Sequence, residues 1–123
     1  MVETAAWVYA GLVALTCLFH LAIIWGAPWG RFTMGGRWPR RLPVLARLFS
    51  AASAMLLIVM ALVVLTRAGI LQADLPDWVI WTVAGFTLLS VLANAATPSA
   101  PERGVWLPVT LILLICIMIV LWY

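Results

Sequence analysis

Trp25-Gly26-Ala27-Pro28-Trp29-Gly30-Arg31-Phe32-Thr33-Met34-Gly35-Gly36-Arg37-Trp38-Pro39-Arg40-Arg41-Leu42-Pro43 separates two long apolar stretches. With Arg47 just beyond it, the stretch accounts for five of the chain's seven Arg. A strongly basic loop between apolar runs marks an integral membrane protein, with that loop on the cytoplasmic side.

The rest of the chain carries little charge. It has 123 residues, 67% hydrophobic and 9% charged, with four acids, no Lys and one His. An ordinary soluble domain is about 25% charged, and a water-soluble chain of this size has no way to hide so much apolar surface. The net charge of +3 is concentrated in the loop, where each Arg near anionic lipid headgroups is worth about 1 kcal/mol. Nucleic acid is not an expected partner, since no soluble face presents the basic residues. The first apolar stretch follows Glu3 and no basic residue, unlike a signal peptide. It is therefore expected to be retained, with the N-terminus translocated.

Four stretches, about 4–26, 44–68, 78–96 and 107–123, approach the roughly 20 residues that a spanning helix needs. In lipid every backbone group must be bonded internally, so these are helices. The expected fold is all-α: a single membrane domain forming a four-transmembrane-helix bundle. Asp77 stands where an N-cap for the third helix would. Thr97-Pro98-Ser99-Ala100-Pro101 ends that helix, and Glu102 and Arg103 are expected just before the fourth. Four spans put the first and third loops on one side, read as cytoplasmic, and both termini outside. The eight Trp sort accordingly: Trp7, Trp78, Trp81 and Trp122 near the outer ends, and Trp25, Trp29, Trp38 and Trp106 near the inner ends. Indole rings favour the headgroup level, so these form two belts.

Small residues from Ser50 to Ala54 and polar residues on the third helix predict close packing among helices one to three. The fourth, rich in Leu, Ile and Val, is expected at the periphery. Tyr9, Thr16 and His20 share one helix face. Cys17 and Cys116 lie in apolar runs and read as buried, inert thiols.

Polar groups inside a membrane are costly and mark functional candidates. His20 and Ser90 are expected at comparable depth, with Asn94 nearer the interface and Arg47 and the basic loop above them, forming either a ligand site or a plain interhelical hydrogen bond. His20 is also the one side chain able to give a tetrapyrrole an axial bond, although no cofactor is expected. No carboxylate is expected within a span, and no metal-ligand cluster or Ser-His-Asp arrangement is visible, so enzymatic chemistry has little support. The loop's Trp25, Trp29, Arg31, Arg37, Trp38, Arg40 and Arg41, with Arg103 and Trp106, read as contacts to anionic lipid headgroups or a partner.

The loop 25–43 and the stretch Asn94-Ala95-Ala96-Thr97-Pro98-Ser99-Ala100-Pro101-Glu102-Arg103-Gly104-Val105-Trp106-Leu107-Pro108 resemble those of small four-helix bacterial membrane proteins that lack an assigned function. The resemblance implies a bacterial inner membrane and transfers no activity. The leading expectation is a non-catalytic membrane protein acting by association, as an accessory subunit or a homo-oligomer. A transporter or channel formed by oligomerisation and a lipid-modifying enzyme are the alternatives.

Overall fold

A computed structural model describes all residues, Met1–Tyr123. The chain forms four helices: α1 (Val2–Ile24), α2 (Val44–Arg67), α3 (Asp77–Ala96) and α4 (Ala100–Trp122). Each is long and apolar enough to cross a membrane, so the protein is a multi-pass membrane protein with a four-helix bundle. Only 27 of the 123 residues are buried, while large apolar side chains such as Leu15, Leu45 and Ile115 point outward. That surface suits a lipid solvent rather than water.

Three of the helices match their expected bounds to within two residues. The fourth begins at Ala100 instead of Leu107. Ser99 caps it, its Oγ accepting from the Glu102 amide at 3.3 Å. Pro101 sits in the first turn, where a missing N–H costs nothing. Glu102 and Arg103 are therefore helical, and the α3–α4 connection shrinks to Thr97, Pro98 and Ser99. Pro108 lies inside α4, which spanning helices tolerate. Asp77 likewise stands in the first turn of α3 rather than at the cap, which is Pro76.

The packing order also differs from expectation. The closest pairs are α1 with α2, α3 with α4, and α1 with α4, whereas α2 and α3 meet least among neighbours. Far from being peripheral, α4 buries Leu113, Cys116, Ile117 and Val120 in the main core, against Ala6, Tyr9 and Val13 of α1. In lipid the driving force is close van der Waals contact. Branched side chains that interdigitate supply this as well as small ones do, so composition alone misassigned the helix. Cys116 is buried in this core, and Cys17 packs half-buried against it.

The core occupies the half of the bundle nearer the termini. Met1, Val2 and Tyr123 gather there with the α2–α3 turn, where Arg67 and Asp77 form the one ion pair, exposed and 3.3 Å apart. At the other end the 25–43 loop folds over the bundle. It has a small core of its own, with Ile23, Leu42 and Ala46 buried and Phe19, Met34 and Trp38 packed against them.

Candidate functional site

Between the core and the loop, the four helices enclose a cavity of about 260 Å³. Tyr9, Thr16 and His20 all line it from α1, as their spacing on one face predicts. At 1.5 Å per residue it runs about 16 Å along the bundle. Its weakest wall is the side where α2 and α3 part. Ser53 and Leu56 of α2 and Phe86 of α3 line that side and are exposed on the outer surface. The remaining lining is largely apolar or aromatic, including Phe19, Met60, Trp106 and Leu113.

The deep end is fixed by Tyr9, which is fully buried. Its hydroxyl lies 3.1 Å from Thr87 Oγ1. Thr87 donates its own hydroxyl to the Val83 carbonyl at 2.9 Å. Tyr9 is therefore the donor and Thr87 the acceptor, since each hydroxyl has one proton.

The expected trio of His20, Ser90 and Asn94 all face the cavity, but they do not bond to one another. His20 Nδ1 instead pairs with Ser50 Oγ of α2 at 2.6 Å. Ser90 donates to the Phe86 carbonyl at 2.9 Å, and Asn94 Nδ2 donates to the Ser90 carbonyl at 2.8 Å. Both thus bond back onto their own helix, a common recourse for short polar side chains. The interhelical bond expected from α3 is supplied by the small-residue run of α2, because α1 packs against α2 far more closely than α3 does. His20 Nε2 makes no protein hydrogen bond and is not sealed off. It is the ring nitrogen left free to bond.

Above the cavity, the 25–43 loop is an ordered lid. Gly30 N donates to the Arg40 carbonyl at 2.8 Å and Arg31 N to the Pro39 carbonyl at 3.1 Å, so the two arms of the loop pair. The tip turns through Met34, Gly35 and Gly36, all with positive φ, a conformation that favours glycine. This turn aims the Gly35 amide at α4. Glu102 Oε2 accepts that amide at 2.8 Å and the Thr97 hydroxyl at 2.7 Å. Ser99 Oγ donates to the Arg31 carbonyl at 2.5 Å, and Trp106 Nε1 donates to the Phe32 carbonyl at 2.7 Å. Phe32 and Thr33 roof the cavity as a result.

The loop residues divide by role. Arg31, Arg37, Arg40 and Arg41 are exposed and have no acidic partner. Two are braced on aromatic faces: Arg31 lies 4.8 Å from the Phe32 ring and Arg37 lies 5.0 Å from the Trp38 ring. Trp25 is 83% exposed, as a headgroup-level indole would be. Trp29 stacks on Phe19 with ring centroids 6.3 Å apart. Trp106 lies half-buried beneath the lid, its ring centroid 4.8 Å from that of Phe19 in a T-shaped arrangement. Arg103 Nη1 donates to the Thr97 carbonyl at 2.8 Å. Arg47 is not among the cavity's lining residues: its Nε donates to the Leu42 carbonyl at 2.8 Å, which ties the end of the lid to α2.

Glu102 is the residue that sequence reasoning placed wrongly. Read as an interfacial acid ahead of the last helix, it instead lines the cavity. The available signal was Ser99-x-x-Glu102, a pattern that opens helices. Tyr9, Ser50 and Thr87 also contribute, and of these only Tyr9 had been marked by its helix face. No three His, Cys, Asp or Glu gather as metal ligands do. No protein-family model, curated protein or solved structure matches the chain.

Proposed function

We propose that the chain is a non-catalytic protein of the bacterial inner membrane that works by association, and that its immediate partner is a small amphiphile held between the four helices. The observation that carries this reading is the cavity itself. It is sized for a small ligand, its walls are mostly apolar, and a few polar atoms with spare bonding capacity converge in it, the usual anatomy of a binding site. Its lateral side between α2 and α3 faces the lipid, the phase in which such a ligand would be dissolved. The direct test is native mass spectrometry of gently extracted protein. A small-molecule adduct is expected on the parent chain, and Ser53→Trp, which fills the cavity from its exposed edge, is expected to lose it. A parent chain that flies without adduct would count against the proposal.

The lid is proposed to face the cytoplasm with both termini outside. Support comes from the clustering of Arg31, Arg37, Arg40 and Arg41 at one end, on which the positive-inside rule acts. With Cys17 and Cys116 first changed to Ala, a single Cys at Arg37 should resist a membrane-impermeant maleimide in intact cells and react in inverted vesicles. The opposite pattern would reverse the assignment.

A further inference from the structure

We infer that the cavity selects amphiphiles that carry a protonated amine. The inference rests on the binding role proposed above and adds the chemical class of the ligand. Three titratable side chains line the cavity: Tyr9, His20 and Glu102, with no Lys or Arg. Glu102 has no cationic partner, since the one ion pair in the chain is Arg67 with Asp77. Its Oε2 is already occupied by Gly35 and Thr97. Its Oε1 accepts no hydrogen bond and is not sealed off. A carboxylate oxygen with unused lone pairs thus stands at the upper end of an apolar cavity.

Most of the other hydroxyls lean the same way. Thr16 donates to the Leu12 carbonyl, Ser53 to that of Phe49, and Thr110 to that of Trp106. Ser90 and Thr87 donate to their own helices as described. Each of these hydroxyls has therefore spent its single proton and offers lone pairs alone. Asn94 adds a free Oδ1 beside its second, unused Nδ2 proton, and the Thr33 hydroxyl, also in the lining, can accept as well as donate. The N-terminus of α4, which would otherwise attract an anion, is largely used, and Ala100 at its start does not line the cavity. Pro101 has no N–H, Glu102 N donates to Ser99 Oγ, and Arg103 N donates to the Ser99 carbonyl. An acceptor-rich cavity with one unpaired carboxylate favours a ligand with several N–H donors and a positive charge. Phe19, Phe32 and Trp106 present aromatic surface, which a cation favours over an anion.

The test uses the full chain in phosphatidylcholine nanodiscs, with binding to empty nanodiscs subtracted. Three probes share one aromatic tail: 4-phenylbutylammonium, 4-phenylbutanol and 4-phenylbutyrate. The ammonium is expected to bind about tenfold or more tighter than the alcohol, as a charge-assisted bond implies, and the carboxylate weakest. In Glu102→Gln the amide oxygen still accepts from Gly35 and Thr97, so the lid stays latched. There the ammonium should fall to within about twofold of the alcohol. Equal binding of ammonium and alcohol to the parent, or a preference that survives in Glu102→Gln, would overturn the selectivity while leaving a binding cavity. Failure of all three probes to bind would remove the cavity's binding role as well.

Discussion

Gly30→Ala is expected to be the most damaging single substitution in the lid, lowering stability by about 3 kcal/mol. A Cβ at this position would run into the Trp38 carbonyl, with the Arg40 carbonyl at 2.6 Å and Leu42 Cδ1 at 2.9 Å. Two of these neighbours are backbone and have no rotamer into which to retreat. The clash falls where the arms of the lid exchange hydrogen bonds, so relief requires the arms to separate. Separation would then strip Phe32 and Thr33 from the roof of the cavity. Thermal unfolding in detergent would register the loss. Limited trypsin digestion would register it more locally, as faster cleavage at Arg37, Arg40 and Arg41. A parent-like melting curve with a parent-like digestion rate would refute the close approach.

Glu102→Ala is expected to cost about 2–4 kcal/mol, because it deletes two hydrogen bonds to one carboxylate oxygen and strands their donors. The Gly35 amide loses its acceptor at the point where positive φ makes the turn least replaceable. Thr97 loses the bond that joins the end of α3 to the start of α4. Glu102→Gln should cost far less, since an amide oxygen can take both bonds. Comparing the two variants by thermal unfolding separates the carboxylate's shape from its charge. Equal destabilisation of both would mean that charge, not hydrogen bonding, holds the latch.

The four spans were legible because hydropathy acts residue by residue. The start of α4 was hidden because Pro98 and Pro101 read as helix breakers, although Pro101 in the first turn is compatible with a helix capped by Ser99. That one shift moved Glu102 from a loop into a helix that lines the cavity. The face of α1 carrying Tyr9, Thr16 and His20 was readable from periodicity. The partner of His20 was not, since the choice between Ser50 and Ser90 depends on which helix packs closer to α1, and no pattern within a single helix encodes that. The pairing of Gly30 with Arg40 was equally invisible, because it rests on backbone groups that every sequence shares.

The lid is fastened along two edges by different physics. Toward α4 it is held by hydrogen bonds to Ser99, Glu102 and Trp106, for which water at the membrane surface competes directly. Toward α1 and α2 it is held by one hydrogen bond, Arg47 Nε to the Leu42 carbonyl, and chiefly by the apolar packing of Met34, Trp38 and Leu42 around Ile23 and Ala46, for which water does not compete. The α4 edge is therefore the latch and the α1–α2 edge the hinge. Competition from water is therefore expected to loosen the seam above Glu102 before the packed edge opposite it.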